Sequence, residues 1–189
     1  MERENVIVRT ELELIQAVGG WADKNFGDRR GADWGMIEEV GEAAHAVLKA
    51  QQKIRGFESE VVFQKHFEDA MADIIIYLCD WCYPRQAFFK FSRDLKVPVA
   101  EPRLQRRIVA VLLQNLGVMM NHDHVLPGDV VEPAIIPIYN MLAQRVCTCV
   151  EQWAATEKMD LTLIVAATWA KVEQRDWNKR PEGPLPQHA

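Results

Sequence analysis

The sequence predicts an all-α fold. Apolar residues recur at helical spacing through six successive segments, and no run alternates apolar and polar residues convincingly enough to read as a strand. A length of 189 residues fits one domain with one core, completed if necessary by a partner subunit.

In chain order, Leu12, Ile15, Val18 and Ala22 define a first helix, which Gly19 and Gly20 weaken and which closes near Gly27. A second runs from about Trp34 to Ile54, with Met36, Ile37, Val40, Ala44, Val47 and Leu48 on one side, Asp33 as its cap and Gly56 as its stop. Residues 61 to 82 form a third, with Phe63, Phe67, Met71, Ile74, Leu78 and Trp81 as its stripe. Pro84, Pro98 and Pro102 make 84–102 an irregular connection, although Phe88, Phe89 and Phe91 within it need cover. A fourth helix spans about Arg103 to Asn121 and a fifth about Pro133 to Lys158. The sixth follows Asp160 as N-cap and carries Leu161, Ile164, Thr168 and Val172. Residues 181–189, rich in proline, are expected to form a flexible tail.

An apolar content of 49% with 26% charge is ordinary for a globular protein. No apolar run approaches the roughly 20 residues of a bilayer span, so no membrane partner is expected. Residues 1–13 lack the basic and apolar regions of a signal peptide, which implies no export and a cytoplasmic location. A net charge of −5 gives no general attraction for a nucleic-acid backbone, and no nucleic-acid partner is expected. Cys79 with Cys82 and Cys147 with Cys149 read as free buried thiols; a four-thiolate zinc site is the alternative.

The chemistry-bearing signal is acidic. Glu38, Glu39 and Glu42 fall within an arc of about 100° on the side of the second helix away from its stripe. Asp69 and Asp73, four residues apart, share a face of the third, and Glu68 is displaced by about 100° from Asp69. Taken alone, E-E-x-x-E reads as a solvated face. Two acidic faces on consecutive helices change that reading, because antiparallel neighbours bring them together across a cleft, where carboxylate oxygens suit magnesium or manganese. Lys49 and Lys53 follow along the face of Glu42 as a basic rim for phosphate oxygens.

The runs W-G-M-I-E-E-V-G-E-A-A-H over 34–45 and D-A-M-A-D-I-I-I-Y-L-C over 69–79 resemble the all-α nucleoside triphosphate pyrophosphatases of the MazG-like group, within the superfamily that includes the dimeric dUTPases. The segment from Trp169 to Trp177 is similar to the group's closing segment. The resemblance covers 21–82 and 161–183, and between them only helical character is shared. It implies a single MazG-like domain over 1–189 and hydrolysis of a (deoxy)nucleoside triphosphate to the monophosphate and pyrophosphate. Glu39, Glu42 and Asp73 would ligate magnesium, Glu38 would bind or activate the attacking water, and the subunits would pair as a homodimer or an assembly of dimers. One departure is Ala70, which stands where the group carries a glutamate three residues before Asp73; Asp69 is the substitute ligand.

Arg175 continues the stripe of the sixth helix and is expected on its core side, bracketed by Lys171 and Lys179 as a phosphate-facing cluster. Asn115, within the stripe of the fourth helix, either ties helices together or reads the nucleotide. Trp34 either packs in the core, the bland expectation, or stacks on a base. Glu42 and His45 form one E-x-x-H motif of the kind that di-iron bundles use in pairs, and the chain has no second. His122 and His124 read as loop residues. A non-enzymatic helical scaffold with an acidic docking face is the remaining alternative.

Overall fold

The computed structural model describes residues 10–26, 31–57, 59–92, 102–121 and 131–176. Among them the regular elements are six helices: α1 (Glu11–Asn25), α2 (Ala32–Gln52), α3 (Glu60–Cys82), α4 (Pro102–Asn121), α5 (Ile136–Thr156) and α6 (Leu161–Val172). None is long and apolar enough to cross a membrane. The expected tail at 181–189, with Lys179, His122 and His124, lies outside the described residues.

Helix α3 is the axis of the bundle, packed against α1, α2, α5 and α6, while α4 closes over α2 and α5. Its predicted stripe is buried throughout, and Ile75, Ile76, Cys79 and Cys82 extend it around most of the circumference. Phe67 meets Trp153 edge-on at 5.3 Å, and Trp81 meets Tyr139 at 5.6 Å, so α3 and α5 run antiparallel. All four cysteines are free and buried on these two helices.

The helix starts follow their local chemistry. Thr10 Oγ1 accepts from the Glu13 amide at 3.3 Å while the Thr10 amide donates to Glu13 Oε2 at 2.8 Å, a capping box. Asp160 Oδ1 accepts from the amides of Thr162 at 3.1 Å and Leu163 at 3.3 Å, as predicted. Helix α2 corrects the prediction. Gly31 is its N-cap, whereas Asp33 is buried inside the first turn with its charge directed at the buried Arg85. The helix ends at Gln52, before Gly56, because Lys53 already turns left-handed at φ 52°.

Three apolar stripes are also corrected. Leu12 and Leu48 are 62% and 47% exposed rather than core. Helix α6 buries Leu161, Val165, Trp169 and Val172, leaving Ile164 and Thr168 half-buried, because the Trp169 indole packs edge-on against Trp21 at 5.9 Å and sets the rotation of the helix.

Between α3 and α4, residues 87–92 lie along α5, whose side chains supply the missing ladder. The Phe88 amide donates to Asn140 Oδ1, Gln144 takes the Lys90 amide and donates to its carbonyl, each at 2.9 Å, and the Ser92 amide donates to Glu151 Oε1 at 2.5 Å. Phe89 is buried and Phe91 half-buried, as their need for cover predicts, while Phe88 stays 47% exposed.

The glycine pair in α1 has a steric explanation. A Cβ on Gly19 would stand 1.9 Å from Cγ of the Tyr83 ring, whereas one on Gly20 would meet nothing within 4 Å. Gly20→Ala is therefore expected to stabilise the protein by up to about 1 kcal/mol through helix propensity. Gly19→Ala should destabilise it by about 1–3 kcal/mol through overpacking. Urea unfolding of the two variants checks this; a stabilised Gly19→Ala would refute the role given to Tyr83.

Candidate metal centre

The α2–α3 turn makes these helices antiparallel neighbours, and their acidic faces meet. Glu39 is half-buried between them. Burial pushes its carboxyl up to about 8, with further contributions from Asp73, Glu42, Glu38 and Asp69. Asp73 is raised to about 6 by burial and then by Asp69, against the opposing charge of Arg175. Each acid therefore feels acids of the other helix. Glu38, Glu42 and Asp69 are exposed at the rim, while Glu68 is half-buried and raised by burial and Asp69, with Lys171 pulling the other way.

The third wall comes from the end of α6, which brings Lys171 towards Glu68 and Arg175 towards Asp73. Arg175 does not continue the core stripe, which is a correction. It lies just past the helix end and is exposed, its carbonyl accepting from Trp21 Nε1 at 3.0 Å. That bond fixes the backbone while the guanidinium stays free to face the cleft.

Trp34 corrects the bland expectation: 67% exposed, it stands one turn before Glu38 on the outer side of α2. Lys49 and Lys53 lie about 10 and 16 Å beyond Glu42 along the helix axis, outside the immediate carboxylate cluster. Asn115 is buried at the α4–α5 contact, its amide donating to the Val111 carbonyl of its own helix at 2.9 Å and standing 4.0 Å from Cys149 Sγ on α5, away from the carboxylate cluster.

One cleft residue was not singled out from the sequence. Tyr77, one turn beyond Asp73, lays its ring on Gly35, one turn before Glu39; a Cβ on Gly35 would stand 2.4 Å from Tyr77 Cε1. Burial, then Glu39, Asp73, Glu38 and Asp80, push its hydroxyl up to about 12, so it remains a neutral O–H beside the acids. The available signal was a glycine on α2 and a tyrosine on α3, each a single turn from a candidate ligand.

The donor set consists of hard carboxylate oxygens, mutually repelling, with Glu39 and Asp73 half-buried and Glu42 and Asp69 at the exposed rim, which fits magnesium or manganese better than zinc. Among the described residues no three His, Cys, Asp or Glu side chains already form a group that could hold an ion, so the carboxylates share a cleft without a finished cage. The apolar cavity of about 530 Å³ between the start of α1 and residues 83–90 is lined by none of the predicted site residues. Comparison of the chain with protein-family models, curated proteins and solved structures finds no match.

The raised carboxyls fix a sign for pH dependence. Below their unfolded values of 4.5 and 3.8, Glu39 and Asp73 are protonated in both states and the folded protein carries no charge penalty. That stability is lost as pH rises through about 6 for Asp73 and then about 8 for Glu39. In chelator, Glu39→Gln should therefore be more stable than wild type at pH 8, with the gap closing towards pH 5. Urea midpoints across that range measure it, and a pH-independent gap would show that Glu39 is not held among like charges.

Proposed function

We propose that the chain is a magnesium-dependent nucleoside triphosphate pyrophosphohydrolase of the MazG-like kind, with manganese as an alternative ion. The observation that carries this reading is the meeting of acids from two separate helices in one half-buried cleft edged by Lys171 and Arg175. A solvated acidic face gives no reason for Glu39 and Asp73 to be drawn out of water towards each other; a cation-binding function does.

Glu39, Glu42 and Asp73 hold the metal, with Asp69 in place of the glutamate that Ala70 lacks. A divalent ion so held supplies charge screening of the triphosphate and stabilisation of the leaving pyrophosphate. Glu38, exposed at the rim, positions the attacking water and accepts its proton. The water oxygen bonds to the α-phosphorus as the bond to the bridging oxygen breaks, and pyrophosphate departs. Arg175 and Lys171 orient phosphate oxygens, with Arg175 offering a planar fork. Tyr77 offers a neutral O–H donor within the cleft, and Trp34 offers its exposed indole to the base. The resemblance also implies a cytoplasmic protein with paired subunits, and the exposed Val111 and Val118, two turns apart on one face of α4, are apolar surface that a second copy would cover.

The test is pyrophosphate release from a panel of canonical and modified triphosphates with magnesium. Glu39→Gln and Asp73→Asn should each lower the rate by at least about a hundredfold, the loss of a few kcal/mol of charge stabilisation, while circular dichroism stays unchanged. Wild-type rates in both variants would end the proposal. Asp69→Asn should be more damaging than Glu68→Gln, since only Asp69 shares the face of Asp73; the opposite ranking would move the fourth ligand to Glu68.

A further inference from the structure

A net charge of −5 conceals an uneven distribution. At one pole of the bundle α2 and α5 end while α3 and α4 begin. Phe67 on α3 meets Trp153 on α5, and Gln105 on α4 donates to Glu157 at the end of α5. Glu157, whose carboxyl burial pushes up, also feels the charge of Glu60 at the start of α3.

Cations crowd this pole. Lys53 and Arg55 in the α2–α3 turn, Lys65 on α3, Arg103 and Arg106 on α4, and Lys158 after α5 are all exposed. None forms an ion pair among the described residues. The acids described at this pole are fewer: Glu60 accepts from Gln64 at 3.2 Å, Glu157 accepts from Gln105 and Thr156, and Asp160 caps α6, three carboxylates against six exposed cations. Glu58 lies outside the described residues.

The backbone is unusual at the same place. Lys53, Arg55 and Lys158 hold φ of 52°, 59° and 60°, a left-handed conformation that a long side chain disfavours and that Gly56 adopts freely at 85°. Glycine would meet the backbone preference at these positions better, so the turn itself gives no reason for the cationic side chains.

Aromatic rings complete the surface. Phe57 lies 5.2 Å from His66, tilted at 34°, and 6.4 Å from His45 at 72°, and both imidazoles are exposed. Cations alone would suit any acidic partner. Rings interleaved with cations suit flat bases carried on phosphates, and only an unpaired strand leaves its bases open to such rings.

We propose that this pole binds single-stranded nucleic acid, with phosphates on Lys53, Arg55 and Arg103 and unstacked bases against His66 and His45 around Phe57. The surface adjoins the acid cleft along the hairpin, with His45 one turn beyond Glu42 and His66 one turn before Asp69, but it does not depend on the chemistry proposed there.

Fluorescence anisotropy of the full chain with a labelled single strand of about ten nucleotides, a common span for one small domain, tests it. Neutralising about three phosphates predicts a slope of about −2 in log affinity against log salt. Binding should persist in chelator and weaken somewhat in magnesium, which competes for the phosphates, and this separates the pole from a cleft that needs the ion. The double variant Lys53→Gly/Arg55→Gly removes two charges at positions where glycine is at ease, so its thermal stability should be held or raised while affinity falls at least tenfold. His66→Ala should weaken binding several-fold. Unchanged affinity in the double variant, absence of binding at low salt, or a requirement for magnesium would each overturn the proposal. Competition by polyglutamate as strong as by unlabelled oligonucleotide would assign the pole to an acidic protein instead and overturn it equally.

Discussion

Helix α3 has to satisfy two demands at once. Most of its circumference is locked into the core against α1, α2, α5 and α6, yet one narrow strip carries Asp69, Asp73 and Tyr77. Because Ala72 and Ile74 are fully buried on either side of Asp73, the helix cannot rotate to relieve repulsion between Asp73 and Glu39 without opening the core. The opposite wall is held just as firmly. Gly35 lets α2 settle on the Tyr77 ring, and that contact sets the separation at which the two acidic faces confront each other. Packing therefore imposes the electrostatic conflict rather than merely tolerating it.

The same helical hairpin sets its other acids beside a buried cation. Two turns from the acid cleft, Asp33 on α2 and Asp80 on α3 direct their charges at Arg85, which is buried, stacked 4.4 Å over Trp81 and donating to the Trp81 carbonyl at 2.8 Å. Buried acids at that level have a buried cation. At the level of Glu39 and Asp73 the cations are instead Lys171 and Arg175, exposed and at the margin. The excess of negative charge at the level of Glu39 and Asp73 is what sets that level of the hairpin apart from the level of Arg85.

Much of this was legible in the sequence, and the failures share a cause. Helix existence followed from periodicity, and the acidic faces from angular spacing, because both are set by residues within a few turns of one another. The N-cap of α6 was legible for the same reason: Asp160 acts on amides two and three residues away. Errors arose where a distant residue decides. The rotation of α6 is set by Trp21 against Trp169, and with it the placement of Arg175 beyond the core stripe. Asp33 looks like a cap until Arg85 is known to lie beside it. Gly19 and Gly35 look like helix weaknesses until Tyr83 and Tyr77 are seen to fill the space that their missing side chains leave.

Net charge misleads here for a related reason: it sums what the fold segregates. Along α2 the acids Glu38, Glu39 and Glu42 lie in the N-terminal half, while Lys49 and Lys53 close the helix. That order agrees with the helix dipole, which favours anions near the N-terminus and cations near the C-terminus, so the segregation costs little within the helix itself. The antiparallel hairpin then sets Asp69 and Asp73 beside the acids, while Lys65 lies one turn nearer the cationic end. With a screening length of about 8 Å at physiological salt, a charge near one end of this axis scarcely feels the other. An acidic chain can in this way carry an acidic cleft and a basic pole on one bundle, and only the local sum of charge describes either.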